Sequence, residues 1–340
     1  MKRWTLMTLV LLCLSGLCLG GLASAQRVNV LCSPDLAWCE ALGPAFGEAT
    51  GGELEFIRVS SQDALARIRA EAANPVFDVW FGGTGDPHLI AAREGLTEFY
   101  RPSVWEDLLP SLREAVADEY IPLYAGALGF VVNEQVVEEQ GLTVPTSWRD
   151  LADPQYRGLI AMPDPNSSGT GYTIIATLVQ IFGEDEAFEL LADIHQNIAQ
   201  YTSSGSAPGQ LAGRGEVAVA IQFMHDGVKF AQQGFPLLVL APEEGTGYEI
   251  GGISLLAGAP NREAAIAFIE WALTPEAQAI AAEQGDSYQV QTNMGTPVSP
   301  LAPDLDSINL IDYDFDRFGT LEVRDALVAR WTNEIFPTPR

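Results

Sequence analysis

The feature that most limits the fold is the regular alternation of short apolar segments with longer amphipathic ones. Arg27–Leu31 is a short apolar segment typical of a buried strand, and residues 35–50 then repeat apolar side chains at helical spacing. The same order continues with a strand at Leu54–Ser60, a helix at Asp63–Ala73 and a strand at Val76–Phe81. Strands separated by helices are typical of a parallel α/β sheet, so we predict an α/β fold.

Three of these predicted strands end in small hydroxyl or glycine residues. Ser33 follows the first strand, Ser61 follows the second, and Thr84 lies in the glycine-rich turn after the third. In open α/β sheets, ligands bind beyond the carboxyl ends of the strands. Because three successive turns share this composition, the sequence predicts a ligand site at this edge of the sheet.

A second polar turn separates the apolar residues 158–161 from the predicted helix Ile174–Phe182. It contains Ser168, Gly169 and Thr170, and either hydroxyl side chain is a good helix N-cap. An ordinary capped helix would show the same residues. However, the N–H groups and the positive dipole end of a helix N-terminus attract anions, and a further serine-rich turn at residues 201–208 repeats the pattern. We therefore predict an anion site here.

The first 25 residues have the pattern of an export signal. They begin with Lys2 and Arg3, continue as an apolar stretch, and end in Ala-Ser-Ala. We expect cleavage after Ala25 and a soluble protein in the periplasm. Two closely spaced cysteines then remain, Cys32 and Cys39, and in an exported protein we expect them to form a disulfide.

Charge and missing motifs narrow the possible functions. The formal net charge of −27 disfavours binding to nucleic acid or to anionic lipid. The three histidines, His88, His195 and His225, are scattered along the chain, and no Gly-x-Ser-x-Gly, Gly-Lys-Ser/Thr or Gly-x-Gly-x-x-Gly motif occurs. We therefore predict that the protein is not an enzyme and has no cofactor or metal. A secreted phosphate-ester hydrolase is the alternative from another functional class.

Motifs along nearly the whole chain after residue 25 resemble the periplasmic solute-binding proteins of ABC importers, in the branch that binds ferric ion or phosphorylated solutes. The motifs are Cys-Ser-Pro…Trp-Cys at 32–39 and the segments 77–84, 124–133, 145–151, 166–170, 215–220 and 264–278. The resemblance implies an α/β periplasmic-binding-protein fold of the type II kind, with a ligand cleft between two lobes. It also implies two crossing hinge strands, at 126–133 and 249–256.

The same resemblance divides the chain into parts. Lobe 1 is expected at residues 26–124, completed by about 253–300, and lobe 2 at residues 125–252. Residues 301–340 are expected to form a helical segment that packs on the lobes. The resemblance further implies a monomer that delivers its solute to an ABC permease in the inner membrane, although a sensor that docks on a membrane receptor would have the same fold.

Within this branch, the Asn-Ser-Ser-Gly-Thr turn and the His-Asp-Gly segment are most similar to sugar-phosphate binders. The resemblance assigns the phosphate to seven residues: Ser33, Ser61, Thr84, Ser168, Gly169, Thr170 and Ser204. It assigns the sugar hydroxyls to His225, Asp226 and Glu249. Hydroxyls and helix N–H groups suit a phosphate without any lysine. Carboxylates accept hydrogen bonds from hydroxyls but repel phosphate, so we expect the two sets at opposite ends of the ligand.

Two other ligands of the same fold remain open. An aminophosphonate would place its ammonium where a sugar would place its hydroxyls. Ferric-ion binders typically present adjacent tyrosines, whereas Tyr201 and Tyr288 are the candidates here and neither has a tyrosine neighbour; Tyr201 could equally face a sugar. We therefore favour a sugar phosphate such as a hexose phosphate.

Overall fold

The computed structural model describes residues 27–340. The predicted signal peptide, residues 1–25, lies outside the described residues. Within them, strands and helices alternate along the chain, which confirms the α/β class. No helix in residues 27–340 is both long and apolar enough to cross a lipid bilayer.

The strands are β1 (Arg27–Cys32), β2 (Glu53–Arg58), β3 (Val79–Phe81), β4 (Thr97–Glu98), β5 (Ile121–Asn133), β6 (Ile160–Pro163), β7 (Ile198–Thr202), β8 (Val219–Phe223), β9 (Leu237–Leu240), β10 (Tyr248–Leu256) and β11 (Val290–Gln291). The α-helices are α1 (Leu36–Thr50), α2 (Ser61–Glu71), α3 (Gly85–Arg93), α4 (Pro110–Val116), α5 (Glu134–Gln140), α6 (Gly169–Phe182), α7 (Glu184–His195), α8 (Ala207–Gly213), α9 (Met224–Gln232), α10 (Arg262–Ala272), α11 (Pro275–Glu283), α12 (Phe315–Phe318) and α13 (Leu321–Arg330).

The strands pair in the order β2-β1-β3-β10-β5-β8-β6-β7, and β4, β9 and β11 attach beside this path. At one end β1 pairs in parallel with β2 and β3, and at the other end β6 pairs in parallel with β7 and β8. Between them, β5 and β10 are antiparallel to each other. Each parallel set is the centre of one lobe.

β5 and β10 connect the two lobes. Residues 121–127 of β5 pair with β10, whereas residues 128–132 pair with β8. β10 returns in the opposite direction and pairs with β3 through residues 253–255. These are the crossing strands that the resemblance implied, and the two-lobed fold is confirmed. The predicted lobe limits fall inside both strands, so each strand contributes residues to both lobes.

The two largest apolar clusters centre on different lobes, and the cluster around lobe 2 also includes Leu89, Leu112, Val116 and Tyr120 of lobe 1. Trp38, Phe46 and Phe268 are buried in the core of lobe 1, between α1, α10 and the sheet. Trp148 is fully buried in the core of lobe 2, and Trp331 of the C-terminal segment belongs to the same cluster. The C-terminal segment therefore completes a core of lobe 2.

One predicted strand is shorter than expected. The sequence predicted a strand over Val76–Phe81, but β3 begins at Val79. The physical reason is Asp78, whose carboxylate accepts hydrogen bonds from the backbone N–H groups of Asn29, at 2.8 Å, and Asn261, at 2.7 Å. The side chain of Asp78 thus takes the place of a strand neighbour at this point.

The predicted disulfide between Cys32 and Cys39 is present, with a Cα–Cα distance of 6.1 Å. Both cysteines are fully buried, one at the end of β1 and the other in α1. The bridge therefore closes a short loop that contains Ser33, Pro34 and Asp35.

Replacing both cysteines by alanine (Cys32→Ala with Cys39→Ala) should lower the free energy of unfolding by about 2 kcal/mol. Without the bridge, the unfolded chain has more conformational entropy. Urea unfolding monitored by tryptophan fluorescence measures this loss. An unchanged midpoint and slope would contradict the expectation that the bridge stabilises the fold.

Candidate ligand cavity between the lobes

A cavity of about 440 Å³, including its open mouth, lies where residues of both lobes face each other. Nine of the ten residues that the sequence assigned to a ligand line it together. They are Ser33, Ser61, Thr84, Ser168, Gly169, Thr170, His225, Asp226 and Glu249. Ser204 does not line the cavity, but it contacts Arg58, which does. The binding roles of these residues stay predictions.

Helix N-termini from both lobes converge on the cavity. The capping position of α2 is Ser60, that of α3 is Thr84 and that of α6 is Ser168, and all three residues line the cavity. Ser168 caps its own helix, as the sequence predicted, by accepting from the N–H of Gly171. The side chains of Ser60 and Thr84 make no such cap. The positive ends of three helix dipoles therefore face one space, which favours an anion.

The hydroxyl groups in the cavity are held so that they can donate hydrogen bonds. The oxygen of Ser33 accepts from the indole N–H of Trp80 at 2.9 Å, and that of Ser61 accepts from the N–H of Thr84 at 3.1 Å. A hydroxyl that accepts one bond keeps its own hydrogen for a ligand. The buried hydroxyl of Thr84 has no hydrogen-bond partner within residues 27–340. We call Ser33, Ser61, Thr84 and Thr170 the hydroxyl cluster.

Close contact across the lobes depends on a glycine. Gly169 begins α6 in lobe 2, and a Cβ at this position would lie only 1.9 Å from the hydroxyl oxygen of Thr84 in lobe 1. Any larger residue would hold the two helix N-termini apart. The glycine of the 166–170 motif is therefore required by the approach of the lobes.

Arg58 is a cavity residue that sequence reasoning missed. Its guanidinium donates to the backbone carbonyl of Pro34 at 3.0 Å, and also to the carbonyl of Ser33 and the hydroxyl of Ser204, both at 3.4 Å. These hydrogen bonds hold the backbone of the disulfide loop in place, and the guanidinium adds a positive charge to the cavity. The one available signal was its position at the end of the strand that precedes Ser61.

A second cluster in the same cavity contains His225, Asp226 and Glu249, and we call it the acidic cluster. The Nε2 atom of His225 lies 3.7 Å from an oxygen of Asp226 and 3.9 Å from one of Glu249. These separations are too long for direct hydrogen bonds. Nδ1 of His225 is buried without a partner in the described chain. All three side chains thus keep hydrogen-bonding capacity for a ligand.

Burial sets the protonation of the acidic cluster. It lowers the pKa of His225 to about 4, so the imidazole is neutral at pH 7. It raises the pKa of Asp226, with a further increase from the nearby charge of Asp35, and it raises the pKa of Glu249, with a further increase from Asp226. The cluster therefore resists full ionisation unless a donor binds to it.

The tyrosines considered for iron lie elsewhere. Tyr201 makes a 2.8 Å hydrogen bond to Nδ1 of His195 and packs on Trp331, and neither Tyr201 nor Tyr288 lines the cavity. The suggestion that Tyr201 could face a ligand there is therefore wrong. His195 also contacts the carbonyl oxygen of Thr338, so its role is structural. Within residues 27–340, no three His, Cys, Asp or Glu side chains are grouped to hold a metal ion.

Comparison with known proteins agrees with this geometry. The family model described as bacterial extracellular solute-binding protein matches residues 89–317. The chain belongs to this family. A solved structure of the periplasmic binding protein AfuA from Actinobacillus pleuropneumoniae, with exogenous fructose-6-phosphate bound, is 40% identical, has a TM-score of 0.89, and covers 92% of this chain and 99% of its own.

Two further relatives extend the comparison. The periplasmic binding protein P5PA is 36% identical with a TM-score of 0.87, and the match covers 91% of this chain and 99% of that one. An uncharacterized protein of Haemophilus influenzae is 42% identical over 326 residues, which is 94% of each chain. The family and its structural neighbours are binding proteins and not enzymes, and the solute-binding proteins of ABC importers deliver their ligand to a permease.

Another acid of this solute-binding protein is buried near the lobe boundary. Asp86 lies in the first turn of α3, and one of its carboxylate oxygens has no hydrogen-bond partner in residues 27–340. Burial raises its pKa to about 7, although the charge of Arg324 opposes the shift. Since the unfolded group ionises near its ordinary value of 3.8, the folded state is penalised at high pH and this penalty falls as pH falls through 7.

Asp86→Asn should therefore stabilise the protein at pH 8, and this advantage should shrink by about 2 kcal/mol between pH 8 and pH 5.5. Urea unfolding of both proteins at the two pH values measures the difference. Wild type and variant share every other titrating group, so the difference reports the carboxyl of Asp86 together with its effect on Glu249, whose pKa it raises. An advantage that does not change with pH would contradict the raised pKa.

Proposed function

We propose that this solute-binding protein captures a phosphorylated sugar, such as a hexose phosphate, between its lobes and delivers it to an ABC permease. The observation that carries the proposal is that one cavity contains both the hydroxyl cluster and the acidic cluster. The first suits an anion and the second suits sugar hydroxyls. The 40% identity to AfuA, whose structure contains fructose-6-phosphate, supports the same class of ligand.

The phosphate would lie at the hydroxyl cluster. A phosphate dianion has only acceptor oxygens, and the hydroxyls, the helix N–H groups and Arg58 are all donors. The sequence suggested that hydroxyls and helix N–H groups suffice, and Arg58 adds a cation to this set. Ser204 would act through Arg58, since it lies outside the cavity lining.

The sugar would lie at the acidic cluster. A neutral imidazole has one donor and one acceptor nitrogen, and a carboxyl group with a raised pKa accepts from a hydroxyl or donates to one. Such a set of donors and acceptors matches hydroxyl groups, because each hydroxyl is both a donor and an acceptor. Closure of the lobes of a monomer would bring this cluster, together with Thr170, from lobe 2 onto a ligand that already contacts the hydroxyls of lobe 1.

An aminophosphonate is the second candidate, because its ammonium would hold Asp226 and Glu249 in the ionised form. The same hydroxyl cluster would bind its phosphonate. Ferric ion is a weaker candidate, since the tyrosines proposed for it lie outside the cavity. A sugar phosphate is favoured because burial opposes the ionisation of Asp226 and Glu249, and neutral hydroxyls do not require ionised partners.

Isothermal titration calorimetry on protein stripped of solute by partial unfolding and refolding tests the proposal. We expect tight binding of fructose 6-phosphate or glucose 6-phosphate and weak binding of free glucose and inorganic phosphate, because each alone fills one cluster. If only 2-aminoethylphosphonate binds, the sugar-phosphate proposal is wrong and the aminophosphonate is the ligand. A response only to ferric citrate, or turnover of the phosphate ester, would contradict the proposal.

Two variants separate the clusters. Asp226→Asn should weaken hexose phosphate binding about 10- to 100-fold and leave inorganic phosphate binding unchanged, because only the sugar loses its carboxyl partner. Arg58→Met should weaken the binding of both hexose phosphate and inorganic phosphate, because both lose a cation near the phosphate. Arg67→Met is the matched control, since Arg67 is an exposed residue of the same lobe. An equal loss of both ligands in Asp226→Asn would place Asp226 at the phosphate and contradict the assignment.

A further inference from the structure

An ion pair at the edge of the cavity joins the two lobes. The carboxylate of Asp35, in lobe 1, accepts from the ammonium of Lys229, in lobe 2, at 2.7 Å. Its other oxygen accepts from the hydroxyl of Ser206, also in lobe 2, at 3.0 Å. Both oxygens of one carboxylate are therefore committed to the opposite lobe.

The orientation of Asp35 is unusual for its position. It occupies the N-cap of α1, where an aspartate ordinarily accepts from the N–H groups of its own first turn. Here its side chain makes no cap bond and instead crosses to lobe 2. The local stabilisation of α1 is given up for a contact that exists only while the lobes are together.

The pair is shielded enough for its charge to matter. The side chain of Asp35 is 11% exposed and that of Lys229 is 15% exposed, whereas most ion pairs of the described chain are far more open. Shielded pairs are screened less by salt than surface pairs, and separating one leaves two charges to be rehydrated. Opening of the cleft must break this pair.

Both partners are attached to rigid parts of the site. Asp35 lies in the loop closed by the Cys32–Cys39 disulfide, next to Ser33. Lys229 is on α9, the helix whose first turn carries His225 and Asp226. A second contact, from the hydroxyl of Ser60 to the carbonyl of Ser203 at 3.1 Å, joins the lobes along the same edge.

We propose that Asp35 and Lys229 form a latch that stabilises the closed arrangement of the lobes and slows solute release. We regard them as positioning residues, because Lys229 does not line the cavity, and both oxygens of Asp35, which does, are already bonded to lobe 2. The proposal does not depend on which solute the cavity binds, because the contact is between protein groups alone.

Distance measurement by double electron–electron resonance tests the latch. Spin labels would be attached at Ala66→Cys on α2 and Gln210→Cys on α8, two exposed positions on opposite lobes. Asp35→Asn and Lys229→Met should each reduce the ratio of short to long distances about fivefold or more, without added solute and with saturating fructose 6-phosphate. The charge-swapped variant, Asp35→Lys with Lys229→Asp, should restore the short distances.

Glu94→Gln is the matched control, because it breaks the pair of Glu94 and Arg69, which is 2.6 Å long and lies within lobe 1. It should leave the distances unchanged. The latch is overturned if neither Asp35→Asn nor Lys229→Met changes the distribution, or if Glu94→Gln changes it equally. If fructose 6-phosphate does not change the wild-type distance distribution, the proposed solute is contradicted. The latch is still tested in that case, because the variants are also compared with wild type without solute.

Discussion

Helix N-termini that approach one another from two lobes are the constraint on which the rest of the structure depends. The positive ends of α2, α3 and α6 meet around one cavity, where they repel one another unless negative charge lies between them. The crossing strands β5 and β10 hold the lobes in line, and Gly169 lets α6 reach Thr84. This arrangement of backbone dipoles, before any side-chain charge is considered, is our reason for proposing that an anion binds here.

Charged side chains refine this arrangement. Arg58 strengthens the positive field at the hydroxyl cluster, and the Asp35–Lys229 pair adds no net charge at the cavity edge. Burial opposes the ionisation of the carboxyl groups in the acidic cluster, so the cluster suits the neutral hydroxyls that we propose as its partners. We therefore propose a ligand with one anionic end and one hydroxyl-rich end, because a simple anion would bind to the hydroxyl cluster alone.

Much of the fold and of the candidate site could be predicted from local sequence patterns. Ser33, Ser61 and Thr84 were found because each follows a strand, and Ser168 because a serine before an apolar run is a helix cap. Arg58 and Lys229 were not found, because an isolated charged residue in sequence is indistinguishable from a solvated surface residue. Asp35, the partner of Lys229, and Ser204, one partner of Arg58, lie in the other lobe, and contacts between distant segments leave no periodic signal.

A crystal structure of the protein with fructose 6-phosphate tests the central claim most directly, because it locates both ends of the ligand at once. We expect phosphate oxygens within hydrogen-bond distance of Ser33, Ser61, Thr84 and Thr170, and sugar hydroxyls within hydrogen-bond distance of the acidic cluster. A phosphate bound against Asp226 and Glu249, or a sugar phosphate bound outside this cavity, would contradict it.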